Sequence, residues 1–220
     1  MHVKNFACIV EGRNKPVTKC NQLKISTKKA VNMNNFISQL NFDLSLIQAN
    51  IPLAGLMILG LWIINIVNSL LGYRLNILGI YPRHIFGLIG IPCAPFLHGS
   101  FSHLFFNSIP LIVLLDFMLI NGTQKFIYVT ATIVLLSGTA VWLVGRRALH
   151  VGASSVIMGY WGYLLVDAYR HPSILTIILA IVCVYYFGSL LLSLFPREER
   201  VSWEGHVFGF LAGLIAVYLY

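Results

Sequence analysis

The chain has 220 residues, of which 58% are hydrophobic and only 10% charged, whereas a water-soluble domain of this size carries about 25% charged residues. With a mean hydropathy of +0.80, so much apolar surface exceeds what a soluble core of this length can bury, and the bilayer is the natural solvent. The formal net charge of +8 is not patterned for nucleic acid: seven of the fifteen basic residues (Lys4, Arg13, Lys15, Lys19, Lys24, Lys28 and Lys29) precede the first long apolar run, which reads as topology and anionic-lipid charge.

Residues 1–47 are mixed, basic and Asn-rich, and read as a disordered cytoplasmic tail or a small cytoplasmic appendage, in which Phe36–Ile47 fits an amphipathic surface helix; residues 48–220 read as the membrane domain. The N-terminus shows no short apolar region followed by a small-residue cleavage site, so the first membrane segment is expected to do the targeting. Cys8, Cys20, Cys93 and Cys183 contain no CxxC pair and suggest neither a disulfide framework nor a metal cluster.

Six apolar segments follow: Ile51–Leu71, His103–Ile120, Phe126–Val144, Ser154–Val166, Ile174–Phe195 and Trp203–Leu219. Most approach the roughly 20 residues needed to cross the hydrocarbon. The expected class is therefore all-α, a polytopic bundle of six transmembrane helices. Between the first two segments, Gly72–Ser102 is too apolar for a solvated loop and too broken for a spanning helix; it reads as an element lying in the membrane interface. The fourth segment is too short to reach both interfaces, so its Gly152-Ala153-Ser154-Ser155 end should begin below the surface. Irregular polar backbone at that depth must be buried in protein or line a wet cavity. The bias of basic residues favours both termini inside, although Arg146 and Arg147 argue against it, and the serine then faces outward.

Polar residues at membrane depth are costly and need a reason. Serine hydrolysis requires a nucleophile, a base for its proton and donors for the developing oxyanion. Ser154 and His206 start the fourth and sixth segments, which in an antiparallel bundle run parallel and begin on the same side. Gly205, Gly209 and Gly213, spaced by four, allow the close helix approach that this needs, and Gly159 and Gly162 answer them on the fourth segment. His103 and Asn107, also four apart, share the outer end of a helix face and both can donate hydrogen bonds. His98 precedes that helix and is placed to orient the loop. Asp116 and Asp167 fall toward the inner ends of their segments, away from Ser154; Asp116 reads as a bundle-facing neutral or partnered residue. Glu198, Glu199 and Glu204 read as a solvated face in the outer turn before the last segment.

Pro95-Phe-Leu-His98-Gly-Ser-Phe-Ser-His103-Leu-Phe-Phe-Asn107, Gly152-Ala153-Ser154 and His206-Val-Phe-Gly209-Phe-Leu-Ala-Gly213 resemble, in order and spacing, the second-helix segment, GxS nucleophile motif and HxxGxxxG helix of the rhomboid family. The resemblance covers about residues 50–220. It implies an intramembrane serine endopeptidase with Ser154 as nucleophile, His206 as general base, and an oxyanion hole of His103, Asn107 and the Ser154 N–H. It further implies a dyad with no acidic third member, no metal or cofactor, and substrates that are transmembrane segments of other proteins, with small residues before the cleaved bond. Two positions depart from the family pattern: Ser155 stands where Gly is usual, and Met158 stands where an aromatic residue usually packs beneath the histidine. A thioether also packs well on rings.

Three other readings weigh less. A non-catalytic relative that binds transmembrane clients should have lost the dyad. A transporter should show paired charges or broken helices in matching halves. A metal-dependent membrane protease should carry His-Glu-x-x-His, which is absent from the sequence. The expected location is a multi-pass protein of a bacterial cytoplasmic membrane.

Overall fold

The computed structural model describes residues 17–172, 176–177, 181, 184–185 and 202–219, with side chains from residue 33 onward apart from residue 43. The chain divides into two compact units, Met1–Leu44 and Ser45–Tyr220. The helices described in full are α1 (Val17–Leu70), the single-turn α2 (Gly90–Cys93), α3 (Phe101–Ile120), α4 (Thr123–Val144), α5 (Ser154–Arg170) and α6 (Trp203–Leu219). Met33–Leu70, α3 and α4 are each long and apolar enough to cross a membrane, and the fold is an all-helical polytopic membrane bundle. The fifth apolar segment, Ile174–Phe195, falls mostly outside the described residues, as do Glu198 and Glu199.

Local chemistry sets the helix ends. Helix α3 starts two residues before the apolar run because Ser100, in extended conformation, caps it: its hydroxyl accepts from the His103 N–H at 3.0 Å. It ends at Asn121-Gly122, where Gly122 has φ +95°, a backbone state that favours glycine. Helix α5 runs to Arg170 rather than stopping at Val166 as expected. Its last turn can carry polar residues because each is satisfied: Asp167 pairs with Lys125 at 3.6 Å, and Arg170 donates to the Val217 carbonyl at 3.1 Å. Even so, its 17 residues span only about 25 Å at 1.5 Å per residue, less than the roughly 30 Å hydrocarbon core.

The core lies where α3, α4, α5 and α6 meet, with Leu104, Leu114, Ile133, Met158, Tyr160, Trp161 and Ala216 fully enclosed. Helix α1 joins it through Trp62, whose indole N–H donates to the Ser108 hydroxyl at 3.1 Å. The α5–α6 pair is the tightest. A Cβ on Gly209 would land on the Ser155 backbone, one on Gly213 on the Gly159 carbonyl, and one on Gly162 on the Phe210 carbonyl. The first two pairs rise together, Ser155 with Gly209 and Gly159 with Gly213, as in helices that run parallel. Gly159 departs from the expected role: its open side faces Ile133 of α4, so on α5 it is Gly162 that makes room for α6.

The connection between α1 and α3 is built of short 3-10 turns (Arg74–Leu78, Ile85–Leu88, Ala94–Phe96) and α2. Ile77, Ile85 and Phe86 are each at least 70% exposed, which suits an element resting against lipid. It is fastened from both sides. Asn68 of α1 donates to Asn76 at 2.8 Å and accepts from the Leu75 N–H at 3.0 Å. Arg83 donates to the carbonyls of Leu143 and Gly145 at 3.2 and 2.9 Å, satisfying groups that the end of α4 leaves open.

Candidate active site

Ser154 is the first residue of α5, preceded by a loop from Gly145 to Ala153. Four backbone contacts hold that loop against the interfacial element. Ile80 and His150 exchange N–H···O bonds of 3.0 and 2.9 Å, the Gly152 N–H donates to Ala94 O at 2.9 Å, and the Ala153 N–H donates to His98 Nε2 at 3.4 Å. His98 thus reaches the residue before Ser154. With Nε2 accepting, the His98 proton sits on Nδ1. Its ring is fully buried and stands edge-on to His103 at a centroid distance of 5.1 Å. Burial, assisted by His103 and opposed by the Phe96 carbonyl, holds its pKa down to about 3.

Among the described residues no side chain caps the start of α5. The first-turn amides, Ser154 N–H among them, lie at the positive end of the helix dipole. Gly152 has φ +125°, and a Cβ there would meet His103 Cε1 at 2.7 Å, His103 Nε2 at 2.9 Å and Asn107 Nδ2 at 3.6 Å. Glycine is required twice over, by its backbone and by the two side chains that α3 aims at this spot. Asn107 is buried, and its Nδ2 has no acceptor among the described residues. A buried donor without a partner is costly and needs an explanation.

His206 is buried one turn into α6 and lies within electrostatic range of His103. Gly209, three residues on, presses against Ser155. The structure therefore gathers His98, His103, Asn107, Gly152, Ser154, Ser155 and His206 at the N-terminal ends of α3, α5 and α6. Gly209 and Gly213 supply the contact that brings α6 there. Met158 is fully buried in the core one turn below Ser154.

One residue stands elsewhere than the sequence reading placed it. Glu204 is not on a solvated face: it is 4% exposed, accepts from the Arg146 N–H at 3.3 Å and pairs with the Arg146 guanidinium Nε at 3.5 Å. The reason is tertiary, since the α4–α5 loop folds over the start of α6. Two polar residues that the sequence reading passed over join it there. His150 Nδ1 lies 2.6 Å from Ser202 Oγ, and His150 Nε2 lies 3.1 Å from the Arg146 carbonyl. Burial lowers the His150 pKa, opposed by that carbonyl and by Glu204 and reinforced by the Arg146 charge. A signal was present, for a histidine and an arginine between two membrane helices call for partners.

The family model for the Rhomboid domain matches residues 86–220. Uncharacterized proteins of Mycobacterium bovis and Mycobacterium tuberculosis are 36% identical over 168 residues, which cover 72% of this chain and 70% of theirs. An uncharacterized protein of Mycobacterium leprae is 34% identical over 72% of this chain and 66% of its own length. The polytopic helical bundle, the match from the interfacial element to the last helix and relatives at this level of identity make the chain a member of the rhomboid family.

Proposed function

We propose that this protein is an intramembrane serine endopeptidase that cleaves transmembrane segments of other membrane proteins. The observation that carries the proposal is the pairing of two α3 donors with the start of α5. The Asn107 amide, buried without an acceptor among the described residues, and the His103 imidazole both meet the space at Gly152, beside the start of the helix that begins at Ser154. Donors fixed in advance around a point where negative charge develops are the main requirement of acyl transfer.

In this reading a substrate helix unwinds locally and presents a peptide carbonyl to Ser154. The Ser154 oxygen bonds to the carbonyl carbon while its proton passes to a ring nitrogen of His206. The carbonyl oxygen, now an anion, accepts from His103, Asn107 and the Ser154 N–H. Collapse breaks the C–N bond as His206 gives the proton to the leaving amine. Water then releases the acyl group from Ser154 by the reverse sequence, with His206 again the base. Glycine or proline in the substrate helix favours cleavage by lowering the cost of unwinding. The same reading puts the protein in a bacterial cytoplasmic membrane with both termini inside, in line with its bacterial relatives and the bias of its basic residues.

Ser155, in the position where the family usually has glycine, favours one second reading: a relative that binds transmembrane clients without cleaving them. The deciding experiment is cleavage of a single-span substrate in liposomes by wild type, Ser154→Ala and His206→Ala. Cleavage by wild type alone, unchanged by chelator, supports the dyad. A folded wild type that cleaves none of several substrates supports the client-binding reading.

A further inference from the structure

We propose that His150 and Ser202 are positioning residues that lock the proposed nucleophile and base into register from one turn's length above each. The inference rests on the Ser154–His206 reading and deepens it. His150 precedes Ser154 by four residues, and Ser202 precedes His206 by four. Their side chains meet at 2.6 Å, which closes a bridge between the loop that delivers Ser154 and the helix that delivers His206.

The hydrogen bonds around the bridge fix its direction. The Arg146 carbonyl can only accept, so His150 Nε2, 3.1 Å away, carries the proton. Nδ1 of the neutral ring is then an acceptor, and the Ser202 hydroxyl donates to it. The same Ser202 oxygen accepts from the Gly205 N–H at 3.3 Å, and the Ser202 carbonyl accepts from the His206 N–H at 3.3 Å. Ser202 is thus the N-cap of α6. The chain of donors runs from Gly205 through Ser202 and His150 to Arg146, and each group has a partner. The His150 backbone is itself pinned to Ile80 by two bonds, so the bridge ties α6 to the interfacial scaffold. The Arg146–Glu204 pair lies beside it and fastens the same two elements.

The Gly209 and Gly213 contacts set how closely α5 and α6 approach, at Ser155 and at Gly159. The N-terminal end of α6, which carries His206, precedes both contacts. The His150–Ser202 bond restrains that end. A displacement of about 1 Å between reacting groups costs on the order of 100-fold in rate, so a restraint at this point acts on turnover rather than on substrate binding.

The test is a double-mutant cycle in the full-length protein, with His150→Phe, Ser202→Gly and the double variant. Phe keeps ring volume, and Gly keeps most of the capping capacity. Each single variant is expected to lower kcat about tenfold with KM within about twofold, the double to be no slower than the slower single, and Ser202→Thr to recover kcat to within about twofold of wild type. Wild-type kcat in the singles, a loss confined to KM, or a double equal to the product of the singles overturns the proposal. Unfolding temperatures of the same four proteins are measured alongside. A wild type no more active than Ser154→Ala overturns the dyad and the catalytic role of the bridge together. An active wild type with additive effects on both kcat and unfolding temperature overturns the bridge alone.

Discussion

Gly209 of α6 lies directly against the backbone of Ser155, the residue after the proposed nucleophile. No side chain fits between them, so the separation of α5 from α6 at the site is set by the absence of a Cβ. In lipid, helices gain nothing from burying apolar surface against each other, and backbone approach through small residues supplies the packing instead. Gly209→Ala and Gly213→Ala should therefore each destabilise the protein by about 1–3 kcal/mol, because the groups they meet are backbone and cannot rotate away. Gly55→Ala in α1, with nothing within 4 Å of the added methyl, should leave stability unchanged or slightly raised. Thermal unfolding in detergent reads all three; equal effects would contradict the helix contact described.

The buried Glu204 carboxylate depends on Arg146. Arg146→Leu should cost about 1–3 kcal/mol, less than the full range for a buried pair, because the Arg146 side chain is 34% exposed. Adding Glu204→Gln should recover part of the loss by removing the stranded charge. A double variant less stable than Arg146→Leu would show that the carboxylate has another partner.

His98 gives stability a pH dependence. Its folded pKa of about 3 lies below the ordinary value of 6.5, so the unfolded chain binds the extra proton first as pH falls. Its contribution is complete above pH 6.5 and is lost progressively toward pH 3, at up to about 1.4 kcal/mol per pH unit. Unfolding temperature followed from neutral to acid pH should fall less steeply in His98→Asn than in wild type. Parallel curves would mean that His98 is not the titrating group.

Ser155 tests how far the departure from the family pattern matters. Across from it stands Gly205, where even an added Cβ would stay 3.9 Å from the Ser155 Cβ. The Ser155 Cβ therefore meets no crowding from Gly205. Ser155→Gly should keep kcat within about threefold and lower stability by about 0.5 kcal/mol through the poor helix propensity of glycine. A large rise in kcat would instead show that the Ser155 hydroxyl competes for His206.

Helix positions were legible wherever one local signal sufficed. The apolar run of Trp203–Leu219 became a helix with those same limits, and the stop at Asn121-Gly122 held, because burial in lipid and backbone freedom act residue by residue. The start of α3 moved back to Phe101 because the Ser100 cap lies outside the apolar run. The end of α5 moved on to Arg170 because its polar residues find partners on α4 and α6.

By itself the sequence determined that this chain is a helical membrane protein, and it singled out a serine, two histidines and an asparagine as polar residues that need a reason there. Those conclusions need only composition, length and the cost of polar groups in hydrocarbon. Only the tertiary structure decided which polar groups meet. Glu204 looked solvated until the α4–α5 loop closed over it, and His150 had no evident partner until Ser202 arrived from 52 residues away. Gly159 and Gly162 looked alike in sequence but face different helices. Such pairings depend on helix rotation and on the path of an irregular loop, which hydropathy and spacing along one chain do not encode.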